Sequence, residues 1–401
     1  MPGWYEETKQ LVADEKLVLI GVTQEQHAER CRLFARWKEF DFPIVQDKAT
    51  ILGLAVVPVA VLIDEHGLVQ STRVRPAQIE SLVNEPHPAP PEAAPAASMS
   101  LADLEAFRAV ATDDVYAQVA SGDAELLWGD EEARSHRAIE CYNRAAELLG
   151  DEEDSDTLAA LIDFRLGVAW RDKFDNSPDA TPEDFSRASS YWLSAHNSNP
   201  NQYIWRRRIE QYGPRLMKPY PFYDWIDTAN EELVARGEEP VELKIDLSGA
   251  EIAFPAREQE VADRNDSHPD PEMKVTLDPG AMITSHSTLV PHAVAPGKSV
   301  RVHLDFVPVE GHKWNNESTP LQVWIDEPQS GTTSMRLLEV AGADEATSSE
   351  RRRVEFEYYA AEGSTGEVTL SGVAFYNACS DEDGQCLFRR QDFVVTINVV
   401  E

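Results

Sequence analysis

Apolar positions change their spacing twice along this chain of 401 residues. From Trp4 to Ala13 and from Gln24 to Phe40 they recur at helical intervals, and between them stands the apolar run Leu17-Val18-Leu19-Ile20-Gly21-Val22. Strands buried on both faces are apolar throughout. The stretch 1–83 therefore reads as α/β: helix, strand and helix, then short strands around Ile44-Val45-Gln46 and Val61-Leu62-Ile63. From 100 to 235 helical spacing takes over for about three helix pairs. From Lys274 onward short alternating strands with frequent Gly and Pro predict an antiparallel β-sandwich. Candidate strands are Val300 to Phe306, Leu321 to Ile325, Arg352 to Tyr359, Gly366 to Phe375 and Asp392 to Val399.

The chain is too long for one hydrophobic core and is expected to be multidomain. Pro86, Pro88, Pro90, Pro91 and Pro95 among alanines make 84–99 a semi-rigid extended linker. Ser100-Leu101-Ala102-Asp103 then opens the all-α part with an N-cap serine and an early acid. A connector over 236–270 leads to the all-β part, 271–401. Within the α part, Trp205-Arg206-Arg207-Arg208 and the aromatic run from Pro219 to Trp225 combine cations with rings. They are read first as a clamp between modules and second as a recognition surface.

The acids outnumber the bases by 71 to 36, a net charge of -35, which argues against nucleic acid as a partner because phosphate binding needs a basic face. No run of eighteen apolar residues is present, so no membrane span is expected. Glu6 and Glu7 and the lack of an apolar core segment give no signal peptide at this N-terminus. Of the four cysteines, Cys31 and Cys141 are isolated, and Cys379 and Cys386 are close. His27 and Cys31 are too few for a zinc site. His286, His292, His303 and His312 follow no ligand spacing, so neither a metal nor another cofactor is expected. No Gly-rich phosphate loop and no G-x-S-x-G are present.

Met1-Pro2, Phe42-Pro43-Ile44-Val45-Gln46-Asp47, Leu52, Val57-Pro58 and Val61-Leu62-Ile63-Asp64 together resemble the later part of a TlpA-like thioredoxin domain. The resemblance implies that the strand and the C-x-x-C that precede Met-Pro in that family are missing from this chain. Residues 17–22 and 60–64 would then lack a shared central neighbour. It also puts Pro58 at the family's cis-proline, where Val57 and Pro58 would bind a substrate peptide. Because bare apolar strand edges invite aggregation, the natural polypeptide is expected to be longer, with Met1 an internal start. Ala138, Tyr142, Ala145 and Ala146, then Phe164, Leu166, Gly167 and Ala169, then Ala188, Trp192 and Ala195 before Asn199-Pro200, resemble degenerate tetratricopeptide repeats. Such repeats are expected to brace neighbouring modules or to hold a peptide, with Cys141 an inert packed thiol.

Pro296-Gly297, Gly311-His312-Lys313-Trp314-Asn315-Asn316, Pro320-Leu321 and Phe375-Tyr376-Asn377-Ala378-Cys379, with Cys386 seven positions on, resemble the immunoglobulin-like N-terminal domain of the thiol:disulfide interchange protein DsbD. The family has one residue fewer between its cysteines. The resemblance implies that Cys379 and Cys386 form a catalytic disulfide that passes electrons, with His312 and Trp314 in a loop that covers it and meets the substrate. Asp381, Glu382 and Asp383 disfavour a thiolate, so the pair reads as an electron acceptor, unless Arg389 and Arg390 fold back to offset them. The plain alternatives are a structural staple worth about 2.5 kcal/mol and a strand connection that buries Trp314.

The expected function is a thiol:disulfide relay or redox adaptor, a thiol-disulfide oxidoreductase working through Cys379 and Cys386. Its partners would be protein thiols and disulfides, including a thioredoxin-like donor. The resemblance favours the periplasm. The alternative is a non-enzymatic scaffold that binds proteins through the helical repeats and the sandwich.

Overall fold

The computed structural model describes residues 2–88, 112–150, 155–214, 225–243, 267–382 and 384–400. Helices fill most of the N-terminal half and strands the C-terminal region. The chain forms two compact units, one of Met1–Asp172, Ser194–Arg207 and Phe222–Leu247, the other of Lys173–Leu193, Arg208–Pro221 and Ser248–Glu401. The boundaries after Asp172, Leu193 and Arg207 fall inside helices. The expected helix start at Ser100 lies outside the described residues, as does the linker from 89 on.

The first unit begins with α1 (Pro2–Ala13), β1 (Gly21–Thr23), α2 (Ala28–Trp37), β2 (Ile44–Gln46), β3 (Leu62–Ile63), β4 (Val69–Ser71) and α3 (Pro76–Asn84). β1 pairs with β2 in parallel, and β3 with β4 antiparallel, as two separate two-stranded sheets. The expected strand over 17–22 is therefore cut to its last residues. Among the described residues its other edge meets no ladder that would hold Leu17 to Ile20 in strand pairing. Val18, Ile20 and Val22 alternate outward and are 79, 56 and 41% exposed, so this run is not covered on both faces. The cross-strand pairs Val22–Val45 and Ile63–Val69 are exposed too. Beneath, Leu62, Val74 and Ile79 form a small core with Trp4, Leu11, Leu17 and Leu82.

The further helices of this unit are α4 (Val115–Trp128), α5 (Arg134–Leu148), the part of α6 (Ser155–Asn176) up to Asp172, the end of α7 (Pro182–Ser198) from Ser194, α8 (Tyr203–Tyr212) up to Arg207, and α9 (Trp225–Ala235). The Asp114 carboxylate caps α4 by accepting the Ala117 N–H at 2.7 Å. Ala138, Tyr142 and Ala145 on α5 are fully buried, whereas Ala146, expected among them, is exposed. A Cβ on Gly122 would come within 2.4 Å of the Tyr142 ring, so α4 and α5 cross closely there. Charges also enter this packing. Arg165 pairs with Asp123 at 3.1 Å, and the buried Asp172 is held between Lys48 and Arg134. Ile226, Ala229 and Leu233 of α9 pack on Leu33 of α2, with Trp225 stacked on Trp37 at 5.8 Å. Trp225, read from sequence as part of a clamp, thus serves the N-terminal helices.

The second unit takes Pro182 to Leu193 of α7 (Pro182–Ser198), Arg208 to Tyr212 of α8 (Tyr203–Tyr212), and all the later strands. These are β5 (Ile283–Val290), β6 (Ala293–Val294), β7 (Ser299–Pro308), β8 (His312–Asn315), β9 (Leu321–Ile325), β10 (Thr332–Thr333), β11 (Leu337–Val340), β12 (Thr347–Ser348), β13 (Arg352–Tyr359), β14 (Gly366–Ser380) and β15 (Cys386–Val399). One sheet has the order β10-β13-β7-β5, the other β11-β9-β14-β15-β6, with β8 beside β14 and β12 beside β8. A single core joins them: Val302, Leu304, Val354 and Phe356 meet Val323, Leu370, Ala374 and Val395. The other face of β7 and β13 lies under the helical segments, where His303 bridges the Tyr212 carbonyl at 2.8 Å and Glu355 at 3.0 Å. Burial raises the Glu355 carboxyl pKa, but His303 and Arg301 outweigh it and hold the group well below the usual range. Arg208 lies over Trp192, which stacks on Tyr212, so this member of the arginine run packs against rings of the helical segments themselves.

Candidate thiol-disulfide site

β14 and β15 run longer than their sequence pattern implied, and their extensions carry the cysteines. Cys379 and Cys386 form the last register pair of this hairpin, with Cα atoms 3.9 Å apart, and are joined by a disulfide. The turn beyond them is closed by the Ser380 N–H on Gln385 O and the Gly384 N–H on Ser380 O, with Gly384 at φ 65°. A positive φ there favours glycine.

Alternation decides what shares a face with the disulfide. β8 pairs with β14 so that Lys313 stands opposite Cys379, Trp314 opposite Ala378 and His312 opposite Ser380. Lys313, Cys379 and Cys386 therefore project to one side of the sheet; Trp314, Ala378 and Leu387 project to the other. Trp314 is 0% exposed and donates its indole N–H to Glu350 O at 2.7 Å, with Arg352 over its ring. The expectation that Trp314 covers the disulfide and meets substrate is corrected: its ring belongs to the buried core between the two sheets. His312 is on Trp314's side as well, half-buried, with Nδ1 lacking a hydrogen-bond partner.

The two sulfurs differ in access. Cys379 is buried and Cys386 exposed. The loop acid Asp381 pairs with Lys313 at 2.9 Å, and its N–H donates to Gly311 O at 2.8 Å; Asp383 lies outside the described residues. The arginines are turned elsewhere. Arg390 bonds Asp392 and the Val275 carbonyl, and Arg389 donates to Phe388 O. The cation beside the cysteines is thus Lys313, which sequence reasoning missed; only the register between β8 and β14 reveals it. Phe388, two residues beyond Cys386 on the same face, was missed too. It is 44% exposed and stacks on Phe375 at 6.4 Å. Below the strand, Tyr376 donates its hydroxyl to Asp278 at 2.6 Å, and Asp278 also accepts the Ala281 N–H. Burial pushes the Asp278 carboxyl up, but these donors hold it below the ordinary value.

Val57 and Pro58 belong to the first unit, both exposed, with a cis peptide bond between them. A second cis bond, Val290–Pro291, had no signal in the sequence reading. The loop before Pro58 is anchored by the Tyr203 N–H on Ala55 O at 3.1 Å. Cys31 bonds Thr23 Oγ1 at 3.0 Å, and burial pushes its thiol up to about 11. A thiol so shifted is a poor nucleophile at neutral pH. Among the described residues no group of three or more His, Cys, Asp or Glu is placed to hold a metal ion, and no helix is long and apolar enough to cross a membrane.

No family model matches the chain, and no curated protein matches it. Among solved structures, a conjugate transposon protein from Bacteroides vulgatus is similar over 32% of this chain and 91% of its own, at 12% identity and a TM-score of 0.18. The ASH / PapD-like domain 7 of human CEP192 is similar over 34% of this chain and 95% of its own, at 11% identity and a TM-score of 0.15. Neither likeness extends to a fold assignment.

Proposed function

We propose that the chain is a thiol:disulfide relay component that accepts electrons at Cys379–Cys386 from a dithiol protein, such as a thioredoxin-like donor. The observation that carries this reading is the pairing of an exposed sulfur, Cys386, with a buried one, Cys379, on a sheet face that also bears Lys313. A donor thiolate attacks Cys386 Sγ, the intramolecular S–S bond breaks, and Cys379 leaves as a thiolate near the Lys313 ammonium. The donor's second thiolate then attacks the mixed disulfide, leaving the donor oxidised and Cys379 and Cys386 both reduced after taking up two protons. In the same reading 1–83 is a TlpA-like thioredoxin half, 100–235 a tetratricopeptide-like bracket and 271–401 a DsbD-like sandwich. The element order from α1 to α3 supports the first of these.

Redox titration of the full chain tests the proposal. A two-electron couple well above about −300 mV, reduced by a thioredoxin-like dithiol and abolished in Cys386→Ser, is expected. A potential below that level, with Cys379→Ser losing stability alone, would leave a structural staple. The scaffold reading is favoured by one observation, the exposed apolar pairs Val22–Val45 and Ile63–Val69. It gains if Cys386→Ser retains every protein partner of the wild type.

A further inference from the structure

We propose that Ser186, His286 and Glu183 form a nucleophile, base and orienting acid able to hydrolyse short acyl esters, an activity separate from the disulfide. The set is local to the second unit. Pro182 opens α7, and the Asp184 carboxylate accepts the Thr181 N–H at 2.8 Å, which fixes the first turn. Glu183 and Ser186, three apart, then share one helix face. His286 and Thr288, two apart on β5, share one strand face, and β5 is the edge strand of its sheet.

Ser186 Oγ lies 3.0 Å from His286 Nε2, and His286 Nδ1 lies 3.4 Å from Glu183 Oε1. The nearby carboxylate favours the neutral tautomer with its proton on Nδ1, which leaves Nε2 to accept from Ser186. Thr288 Oγ1, 2.6 Å from Ser186 Oγ, then donates to that oxygen. Ser186 and His286 are half-buried and Glu183 is exposed, so the set is open to solvent.

In the reaction Ser186 Oγ attacks the acyl carbon and its proton passes to His286 Nε2. The Thr288 hydroxyl, beside Ser186 Oγ, is the donor at hand for the oxyanion. Collapse breaks the ester C–O bond, and the leaving alcohol takes the proton from His286. Water, deprotonated by the same nitrogen, then releases the acid and restores Ser186. The open surface suits a small acyl group, and the exposed acid Glu183 favours an uncharged one.

A neighbouring pair serves as an internal control. Ser190 Oγ is 3.0 Å from His292 Nε2, but its proton is committed to Ser186 O at 2.8 Å. Burial is the sole influence on the His292 ring, lowering its pKa, with no carboxylate acting on it among the described residues. Treating the full chain with a fluorophosphonate and mapping the adduct by peptide mass spectrometry should place the label on Ser186. Hydrolysis of p-nitrophenyl acetate should fall at least about a hundredfold in Ser186→Ala and His286→Asn, about tenfold in Glu183→Gln, and not at all in Ser190→Ala. An unlabelled chain, a label on another serine with Ser186 bare, or wild-type turnover by a folded Ser186→Ala would overturn the proposal. The adduct map reads the wild-type chain and stands even if a variant fails to fold.

Discussion

Lys313 and Cys379 hold the same register position on β8 and β14, so an ammonium and a disulfide sulfur rise from one face of the sheet. A nearby cation favours a departing thiolate. Lys313→Met should slow reduction of the disulfide by a dithiol about two- to fivefold at low salt, the effect of one partly exposed charge. The difference should shrink in concentrated salt. Stopped-flow rates for the two proteins check this, and equal rates would remove Lys313 from the reaction.

Gly122 and Tyr142 approach so closely that two opposing effects can be ranked. Alanine in a helix is favoured over glycine by about 1 kcal/mol. The new methyl would meet the fully buried Tyr142 ring at 2.4 Å, and overpacking of that kind costs about 1–3 kcal/mol or more. Gly122→Ala should therefore lower stability by about 1–2 kcal/mol in denaturant melts, against the usual gain. A stabilised variant would mean that the helices part easily.

The β-rich C-terminal region was legible because its signal is local. Val354, Phe356 and Tyr358 alternate with polar positions, and the strands Leu321–Ile325 and Arg352–Tyr359 both appear with the expected bounds. The cysteines were legible as a pair, but not as the end of a hairpin, since Tyr376 to Ser380 and Cys386 to Gln391 show no clean alternation. Lys313 could not be found from sequence: its place beside Cys379 depends on a pairing between residues more than sixty positions apart. Leu17 to Ile20 misled for the opposite reason. Apolar composition reports what a strand needs, and here the described residues do not supply a second neighbour.

Asp123 makes one unit pH-sensitive. Burial raises its carboxyl to about 6, against Arg165 and the Tyr142 hydroxyl, which lower it. The folded state therefore holds this proton more tightly than the unfolded chain, whose aspartates titrate near 3.8. The contribution is fully favourable below the unfolded value, is lost as pH rises toward 6, and is flat above. Asp123→Asn lacks this loss. Its melting temperature relative to wild type should rise between pH 4 and pH 7, by an amount worth at most about 3 kcal/mol. A constant difference across that range would contradict the raised value.

Val22 faces Val45, and Ile63 faces Val69, on sheet surfaces that the described residues leave open. Exposed apolar patches of this kind bind hydrophobic dyes and promote association. The full chain should therefore enhance anilinonaphthalene sulfonate fluorescence in its folded state, with all melting cooperativity intact. Replacing Val18, Ile20 and Val22 by threonine keeps strand propensity while removing the apolar face. Because the three side chains are already solvated, the triple variant should lose less than about 1 kcal/mol of stability, yet bind markedly less dye and stay soluble at higher concentration. A large stability loss would show instead that these side chains are covered in solution, and the open face would then be occupied by chain or partner.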